Sequence, residues 1–577
     1  MCKPIYILGT ALSHDGSTCL MKDGEIIVAI EKERLSRVKH DGFNDNKTIQ
    51  YCLEAEGIEY HDLSLIVEQN CYNPLFSEQL AERKNRVLPA MVPIVTISHH
   101  LAHAYSAVGT SPFDDMGVVV IDGHGGSLDN CNDIVENIDS INNIHINNRY
   151  RYWEICSYYV YQDGKMKPIF KDFSRWVNRK KRRDYPVSTW EIENSIGEFY
   201  EGIALYIFGE LDCAGKLMGL APYGRPHIID WEPFFFDAGK VVLRNDWWVN
   251  IDPLLNTSPT HFKDNFQYYS DLAYWAQSKL EEALFYLFDY YYHLNPMKHF
   301  AYAGGVALNA TANEKLINGC DFEDLYIQPA AGDNGLSIGC CYYGWLEVLK
   351  KERVRHSGST YFGKVYGDII VAQELEKHAE SIEYHYYDDI ETIAAKSIAA
   401  GDVIAWFQGA SEFGPRALGN RSILADPRNS NMRDHINANV KYREDFRPFA
   451  PAVLHEKMHD YFELNHDSDY MLFIAYVKAQ YQFDLPSIVH VDGSARVQTV
   501  KKEINKKFHK LITSFFAETR IPILLNTSLN TKGIPIVETP SDAINLFLSC
   551  GLDLLFIDNY KISKKKTNLI AQGRSNY

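Results

Sequence analysis

The sequence predicts an α/β fold built from two domains. Apolar runs of strand length are repeatedly followed by glycine-rich turns and then by helical patterns, which is typical of α/β proteins. A chain of 577 residues is also too long for one hydrophobic core. Its composition, with 46% apolar and 23% charged residues, is that of an ordinary folded protein. We therefore expect two compact units in one chain.

The first domain, expected over residues 1–352, begins with three strands. Residues 5–12 form an apolar run, and residues 18–21 and 25–30 flank an Asp-Gly turn, which predicts a hairpin. A buried strand follows at 117–122, and further glycine-rich turns come later in this domain. Such turns present backbone N–H groups to anions, so we expect this domain to bind a phosphorylated ligand. The sequence contains neither a P-loop pattern nor an evident internal repeat.

The second domain is expected over residues 353–577. The chain becomes polar and basic between 350 and 363, which indicates a boundary there. Beyond it, residues 403–407 and 521–525 have strand patterns. The last residues, 564–577, are polar and are expected to fray.

Charge, hydropathy and cysteine usage exclude several classes of protein. The net charge of −17 disfavours binding of nucleic acid or anionic membranes by the chain as a whole. No apolar run reaches the ~18 residues of a membrane span. The first residues lack the apolar core of a signal peptide, so we expect a cytoplasmic protein. The 11 cysteines include no C-x-x-C pair, which argues against a zinc framework.

A histidine cluster follows the first predicted strands. His99 and His103 are four residues apart, so on a helix they share one face, as two imidazole ligands of one metal do, whereas His100 points elsewhere. Asp122 ends the buried strand and Asp333 lies in a glycine-flanked turn, so both can complete a site with two imidazoles and two carboxylates. That donor set suits Fe(II), Mn(II) or Zn(II). The alternative is an ordinary helix start whose histidines are satisfied by hydrogen bonds.

Four motifs resemble those of one family. They are HHLAH at 99–103, GKLMGLAPYG at 215–224, GGVALN at 304–309 and FGPRALGNRS at 413–422. In this order, and over almost the whole chain, they resemble the O-carbamoyltransferases, which include nodulation-factor, cephalosporin and tobramycin carbamoyltransferases. The resemblance implies an actin–hexokinase-like first domain and an α/β, YrdC-like second domain.

The resemblance also implies a two-step reaction. Carbamoyl phosphate and ATP give carbamoyl adenylate, with release of pyrophosphate and phosphate. The carbamoyl group then passes to an acceptor hydroxyl at an iron-bearing site in the first domain. Fe(II), or another divalent metal, and Mg-ATP are the implied cofactors.

Roles follow residue by residue from the matched motifs. The implied metal ligands are His99, His103, Asp122 and Asp333. The implied adenosine-binding turn contains Gly304, Gly305 and Asn309. The residues implied to hold carbamoyl phosphate are Arg416, Lys441, Arg447, Arg496, Asn526 and Ser528. Carbamoyl phosphate carries about two negative charges, so cations and oriented donors should gather around it; without the resemblance, these cations would be interpreted as solvated surface charge.

The first turn of the chain supplies the candidate base. His14 could remove the proton from the acceptor hydroxyl as it attacks the carbamoyl carbon. Asp15 is its orienting group or an alternative base. A pair that only stabilises the turn is the competing interpretation.

Residues 149–183 differ in charge from the rest of the chain. They contain eleven Lys or Arg and three Asp or Glu, a net charge of +8, with nine interleaved aromatic residues. They belong to a stretch at about 128–194 that is longer than the family pattern leads us to expect, which we interpret as a basic aromatic insert. Cations and aromatics suit a phosphate backbone and stacked bases, so a hydroxymethylated pyrimidine in DNA is one candidate acceptor. A small natural product is the other, with the aromatics packing on the domain or closing a pocket.

The sequence thus predicts an ATP-dependent O-carbamoyltransferase. Its expected partners are carbamoyl phosphate, ATP and a hydroxyl-bearing acceptor. DNA contact through 149–183 and homo-oligomerisation are left open, and no membrane partner is expected. Carbamoyl transfer to a tRNA adenosine or a protein cysteine is a related alternative. A non-catalytic nucleotide-binding scaffold is the alternative from a different class, and the retention of all the matched ligands argues against it.

Overall fold

The computed structural model describes residues 3–70, 88, 91–134, 144–178, 190–244, 247, 251 and 259–565, and it is α/β as the sequence predicts. Within these ranges the strands form three large sheets and two small ones. No described helix has the length and apolar character needed to cross a membrane. The polar residues 566–577, and the run Arg179 to Arg183, lie outside the described residues.

The first sheet is built by the start of the chain. Its strands are β1 (Tyr6–Leu12), β2 (Ser17–Lys22), β3 (Glu25–Glu31), β4 (Leu63–Asn70) and β5 (Ile94–Ile97). Their order is β3-β2-β1-β4-β5, with β1 antiparallel to β2 and parallel to β4. The predicted hairpin is confirmed, because its turn residues Asp23 and Gly24 have positive φ angles of 50° and 91°, as an Asp-Gly turn favours.

The second sheet repeats this topology. The strands that follow are β6 (Met116–Ile121), β7 (Tyr152–Gln162), β8 (Lys165–Asn178), β9 (Trp190–Ile192), β10 (Phe234–Asp237), β11 (Lys240–Leu243), β12 (His299–Ala303) and β13 (Asp324–Ile327). The sheet order is β13-β12-β6-β7-β8-β9, while β10 and β11 form a separate hairpin. Apart from the added β9, the parallel and antiparallel pairings match those of the first sheet. In order, β13, β12, β6, β7 and β8 correspond to β5, β4, β1, β2 and β3. The two sheets are thus repeats of one strand topology, although no repeat is evident in the sequence. Two such sheets in succession are the expected actin–hexokinase-like arrangement.

This topology changes the interpretation of the basic aromatic segment. The hairpin β7–β8 takes the place in the second sheet that β2–β3 takes in the first. Its strands have 11 and 14 residues, whereas β2 and β3 have 6 and 7. The extra length that suggested an insert at about 128–194 therefore includes a lengthened hairpin that belongs to the sheet.

Helices pack between and outside these two sheets. In chain order they are α1 (Lys32–Ser36), α2 (Asn46–Glu56), α3 (His99–Thr110), α4 (Ile196–Phe208), α5 (Ala214–Leu220), α6 (Pro259–Asp264), α7 (Phe266–Leu294), α8 (Ala310–Gly319) and α9 (Leu336–Tyr343). Helices α3 and α9 cross closely, since a Cβ at Gly339 would lie 1.8 Å from the carbonyl oxygen of Ala102. This close crossing brings the histidine helix next to the turn that carries Asp333.

The last third of the described chain surrounds an eight-stranded sheet of order β14-β24-β23-β15-β16-β22-β17-β21. The strands here are β14 (Ile382–Tyr386), β15 (Ile404–Phe407), β16 (Arg421–Ala425), β17 (Ala450–Leu454), β18 (Phe462–Glu463), β19 (Ile474–Val477), β20 (Ser494–Arg496), β21 (Gln498–Val500), β22 (Ile523–Ser528), β23 (Leu554–Ile557) and β24 (Tyr560–Lys564). The helices are α10 (Asp368–Lys377), α11 (Ile390–Ala399), α12 (Met432–Ile436), α13 (Met458–Tyr461), α14 (Lys506–Thr519) and α15 (Pro540–Ser549).

Alternating residues of this sheet fill two hydrophobic cores, one on each face. Along β15, Ala405 and Phe407 belong to one core and Ile404 and Trp406 to the other. Both faces are therefore covered. The predicted strands at 403–407 and 521–525 are confirmed as β15 and β22. The boundary at 352/353 and the YrdC-like character of this part stay predictions.

Candidate functional site

The four predicted metal ligands converge at one buried point. His99 and His103 project from the first two turns of α3, Asp122 follows β6 and Asp333 begins the short helix Asp333–Gly335. The Nε2 atoms of His99 and His103 lie 3.2 Å apart and each lies 3.2 Å from Oδ2 of Asp122. Oδ1 of Asp333 lies 3.3 Å from Nε2 of His99 and 3.5 Å from Nε2 of His103.

These separations fit a cation at the centre of the cluster. Four ligands at about 2.0–2.1 Å from a tetrahedral metal would be about 3.4 Å from one another. Five of the ligand-to-ligand distances are close to that value, and all four residues are at most 7% exposed. The donor set of two imidazoles and two carboxylates suits Fe(II), Mn(II) or Zn(II).

Backbone donors orient Asp122 toward the histidines. Its Oδ1 accepts hydrogen bonds from the backbone N–H of Gly123 (2.8 Å) and Gly305 (3.1 Å), which leaves Oδ2 facing His99 and His103. Burial and the charge of Asp333 raise the pKa of Asp122. Hydrogen bonds from the two imidazoles outweigh these effects, and the pKa of Asp122 lies well below its usual range. Asp122 is therefore held ionised, as a metal ligand must be.

Asp333 connects the group of four predicted metal ligands, called the metal cluster below, to the first turn of the chain. Its Oδ2 accepts a hydrogen bond from the hydroxyl of Ser13 and lies 3.5 Å from Nε2 of His14. Burial raises the pKa of Asp333, while the charges of His99 and His14 and the bonds from the imidazoles bring it well below its usual range. Sequence reasoning missed Ser13, which is buried and directly precedes His14 in the chain. Only this position next to His14 distinguishes it from the other serines of the sequence.

Gln69 is a second residue that the sequence did not indicate. It is the next-to-last residue of β4, is fully buried, and its side-chain amide lies 3.0 Å from Nδ1 of His99. If His99 binds a metal through Nε2, its Nδ1 carries the proton, and the amide oxygen of Gln69 would face it. That oxygen has no other hydrogen-bond partner, so this orientation would also satisfy it.

The predicted base lies at the edge of the metal cluster. The side chain of His14 is 59% exposed, and its Nδ1 lies 3.3 Å from Oδ2 of Asp15. Oδ1 of Asp15 in turn lies 2.9 Å from Nδ1 of His40. Partial desolvation lowers the pKa of His14, whereas the charge of Asp333 and the bond to Asp15 raise it well above its usual value. The structure thus brings His14 and Asp15 together as predicted, and it adds His40.

The predicted adenosine-binding turn also supports the metal site. Gly304 has φ of 96°, and a Cβ there would lie 2.2 Å from the carbonyl oxygen of Ile121, so only glycine fits. Asn309 caps α8 through a hydrogen bond to the N–H of Ala312, and it exchanges hydrogen bonds with Gln277. The amide of Asn309 therefore shapes this turn, while the N–H of Gly305 donates to Oδ1 of Asp122.

A buried ionic network lies beneath the histidine helix. Glu154 of β7 accepts hydrogen bonds from the backbone N–H of His100 (3.3 Å) and Gly126 (3.0 Å), and it pairs with the fully buried Lys171 of β8. Lys171 also donates to Asp133 (2.7 Å). The long hairpin thus holds the start of α3, the helix that carries both predicted histidine ligands.

Replacing Lys171 with alanine is expected to destabilise the fold by about 3–5 kcal/mol, because Glu154 and Asp133 would be left as unpaired buried charges. Urea unfolding of the purified protein measures this. Lys165→Ala on the same hairpin is the matched control, since Lys165 is exposed and its loss should change stability by about 0.5 kcal/mol or less. Equal stability of the two variants would contradict the role given to Lys171.

The last third of the chain carries a cluster of cations. It contains the predicted Arg416, Lys441, Arg447 and Arg496 together with Arg443, which sequence reasoning did not single out. Burial and the neighbouring charge of Arg447 lower the pKa of Arg416 to about 10. Burial and the charges of Arg416, Arg443 and Arg447 lower the pKa of Arg496 well below its usual value. Mutual repulsion of this kind indicates a site that is completed by an anion.

Other contacts in the cluster leave donors for that anion. Nε of Arg416 and Nε of Arg496 are buried without a hydrogen-bond partner. Glu444 lies 3.8 Å from Arg447, but it also pairs with Lys216 and Lys532, so its single charge is shared. An oxyanion among these guanidinium groups would satisfy donors that the protein does not satisfy by itself.

The predicted neutral partners lie beside these cations. The amine of Lys441 donates to the carbonyl and hydroxyl oxygens of Ser528 at 2.7 and 3.2 Å and to Asn530 at 2.6 Å. Asn526 donates to Gln498 and to the carbonyl oxygen of Ala417, while its own Oδ1 is buried without a partner. Lys441, Ser528 and Asn526 thus form one wall of the cationic cluster.

Only one arginine of the FGPRALGNRS motif faces this cluster. Arg421 is fully buried, stacks on Phe407 and donates to backbone carbonyls, so it stabilises the loop. The carboxylate of Glu412 accepts hydrogen bonds from the N–H groups of Leu418, Asn420 and Arg421. This loop structure is what presents Arg416.

The aromatic residues of segment 149–183 are mostly core residues. Six of the nine are at most 9% exposed: Trp153, Tyr158, Tyr159, Tyr161, Phe170 and Phe173. They pack in cores on both faces of the second sheet: Tyr158 stacks on Tyr291 on one face, and Tyr159 and Tyr161 lie in the core on the other. They are therefore not presented for stacking on bases, and the alternative in which they pack on the domain is confirmed for these six.

Comparison with known proteins agrees with this geometry. The family model described as "Carbamoyltransferase N-terminus" matches residues 6–83 and 61–342, and "Carbamoyltransferase C-terminus" matches residues 395–564. The chain therefore belongs to the carbamoyltransferase family and is an enzyme.

Named relatives extend the comparison. Nodulation protein NolNO of Sinorhizobium fredii is 34% identical over 593 residues, covering 97% of this chain and 80% of the relative. Nodulation protein NolO of Bradyrhizobium diazoefficiens is 38% identical over 387 residues, 65% and 70% of the two chains. A 3'-hydroxymethylcephem-O-carbamoyltransferase of Amycolatopsis lactamdurans is 32% identical over 250 residues, 43% and 46% of the two chains.

Proposed function

We propose that this enzyme is an ATP-dependent O-carbamoyltransferase that acts on a small molecule bearing a hydroxyl group. The observation that carries the proposal is the pairing of two built sites in one chain. One is the buried cluster of His99, His103, Asp122 and Asp333. The other is the cationic cluster around Arg416, Lys441 and Arg496, in which the buried Nε atoms of both arginines lack a hydrogen-bond partner and suit an anion such as carbamoyl phosphate.

The cationic cluster would carry the first step. Water attacks the carbamoyl carbon of carbamoyl phosphate and phosphate leaves, giving carbamate. A carbamate oxygen then attacks the α-phosphorus of ATP and pyrophosphate leaves, giving carbamoyl adenylate. The guanidinium groups of Arg416 and Arg496 would hold the departing phosphate charge.

The buried cluster would serve the second step. A divalent cation, which we expect to be Fe(II), would supply Lewis-acid polarisation of an oxygen of the reacting groups. His14, 3.5 Å from Asp333, would take the proton from the acceptor hydroxyl as that oxygen attacks the carbamoyl carbon and AMP leaves. A cation bound by Asp333 would offset the charge that raises the pKa of His14, and so favour its action as a base.

The acceptor is proposed to be a small alcohol rather than DNA. The aromatic side chains that would have stacked on bases are largely buried in the sheet. The relative from Amycolatopsis lactamdurans is also named for transfer to a hydroxymethylcephem, a small molecule. DNA stays the second candidate because of the local charge of +8 between residues 149 and 183.

An acceptor screen by mass spectrometry tests this proposal. The enzyme is supplied with carbamoyl phosphate, ATP and Fe(II), together with either small hydroxymethyl compounds or DNA that contains 5-hydroxymethyl pyrimidines. We expect a carbamoyl mass gain on small alcohols that disappears when ATP is omitted. A gain on the DNA bases alone would favour the second candidate, and absence of both product and pyrophosphate would contradict the proposed reaction.

A charge variant separates the two acceptors further. Replacing the five cations of residues 179–183 with serine and glutamine should leave carbamoylation of small alcohols unchanged. If DNA is the acceptor, the same variant should bind DNA more weakly and with a flatter salt dependence.

A further inference from the structure

The two sites are joined by a buried acidic residue that neither site uses directly. Glu31 ends β3 and is 4% exposed. Its Oε1 accepts one hydrogen bond from Nδ2 of Asn334 (2.7 Å) and one from the backbone N–H of Gly414 (3.1 Å). Asn334 follows the metal-cluster residue Asp333, and Gly414 precedes the cationic Arg416 by two positions. One carboxylate oxygen therefore binds the supporting turns of both sites.

Arg34 completes this link. It is 2% exposed, forms an ion pair with Glu31 through Nε, and donates from its terminal nitrogen to the carbonyl oxygen of Gly414 at 2.8 Å. Both backbone polar groups of Gly414 are thus held by the first part of the chain. Gly414 has φ of 121°, a conformation that favours glycine, so its peptide groups are presented in a fixed orientation.

The position of this link is more informative than its contribution to stability. An apolar pair of similar size would stabilise a buried interface at least as well as an ion pair, because the charges must be desolvated. An apolar pair could not, however, fix the positions of the Asn334 amide and the Gly414 peptide relative to each other. Beside the link, Asp15, His40, Asn334 and Pro415 line a small cavity of about 80 Å³, so the base turn and the loop of Arg416 face the same space.

We propose that Glu31 is a positioning residue that holds the turn 332–335 of the metal cluster in register with the loop 413–416 of the cationic cluster. This role rests on the proposed two-step function. In that reaction, carbamoyl adenylate formed at the cationic cluster must reach His14 before water hydrolyses it. Glu31, locked by Arg34, keeps the two turns close enough for the intermediate to be retained on the protein.

The test separates formation of the intermediate from its retention. The double variant Glu31→Leu with Arg34→Met removes the link while keeping the interface packed. Wild type and variant are each given carbamoyl phosphate, radiolabelled ATP and Fe(II) without an acceptor. Pyrophosphate release is measured, and the carbamoyl adenylate that stays with the protein is counted after rapid desalting. We expect unchanged pyrophosphate release and a fall of about tenfold in retained intermediate, since a displacement of ~1 Å can cost up to ~10²-fold.

Two further variants serve as controls. The single variant Arg34→Lys keeps a cation beside Glu31 and should retain the intermediate as wild type does. Glu314→Leu breaks another pair across the same two parts of the chain, the contact of Glu314 with His466 at 3.0 Å, and should retain the intermediate as wild type does.

Four outcomes would count against the role of Glu31. Retention that is unchanged in the double variant would overturn it, as would an equal loss of retention in Glu314→Leu. Pyrophosphate release that falls in parallel with retention would show a general structural effect and also overturn it. A wild-type protein that releases no pyrophosphate would contradict the proposed function itself, and this role with it.

Discussion

Replacing Arg496 with alanine is expected to lower pyrophosphate release from ATP and carbamoyl phosphate by about 100-fold or more, because a fixed donor to the developing phosphate charge is lost. Arg496 lies at the end of β20, and the charges of Arg416, Arg443 and Arg447 act on it. Initial rates of pyrophosphate release at saturating ATP measure the effect. Binding of carbamoyl phosphate, followed by calorimetry, should weaken in parallel.

The control for this prediction is another arginine of the same part of the chain. Arg428 forms an ion pair with Asp426 at 2.6 Å, outside the cationic cluster, so Arg428→Ala should keep the wild-type rate. A normal rate in Arg496→Ala would show that the cationic cluster does not bind the reacting phosphate. A rate that falls equally in both variants would point to loss of folding instead.

Replacing His103 with alanine, or His99 with alanine, is expected to remove bound Fe(II) and with it carbamoyl transfer. Each imidazole supplies one of only four ligand atoms, and the remaining three would leave the cation open to water. Metal content after anaerobic loading and desalting, measured by elemental analysis, should fall from about one per chain to near zero. Gln69→Ala should give a smaller effect, about 10–100-fold weaker metal binding, because Gln69 orients His99 without binding the metal.

A nearby imidazole outside the cluster provides the control. His124 follows β6, and its Nδ1 lies 3.3 Å from Glu198, so His124→Ala should load Fe(II) as wild type does. Full metal content in His99→Ala and His103→Ala would refute their assignment as ligands. Pyrophosphate release should persist in both variants, because we propose that the first step takes place at the cationic cluster.

Local sequence patterns were sufficient for several features. The Asp-Gly turn predicted the β2–β3 hairpin because few residues adopt positive φ as readily. The spacing of His99 and His103 predicted a shared helix face, since the helix period places residues four apart on one side. The motif around Arg416 and the strand patterns at 403–407 and 521–525 likewise depend on short-range information, and the family resemblance added the pairing of the two sites.

Other features depended on residues far apart in the chain. The second sheet repeats the first in strand pairing but not in sequence pattern, so the hairpin β7–β8 was interpreted as an insert. Its aromatic residues resembled a stacking surface, because the sequence does not state which side of a strand is buried. Packing decided that, because both sides of the strand are covered: Tyr158 lies in the core on one face of the sheet and Tyr159 in the core on the other.

The sequence by itself therefore determined the fold class and the family, and it predicted the residues of both candidate sites. Only the tertiary structure showed that Ser13 and Gln69 support the metal cluster, that Glu154 and Lys171 hold the helix of His99, and that Glu31 joins the two sites. The physical reason is that hydrogen bonds and ion pairs between distant segments leave no periodic pattern in a sequence. A glutamate at position 31 acquires its role only when folding brings Asn334 and Gly414 within 3.1 Å of its carboxylate.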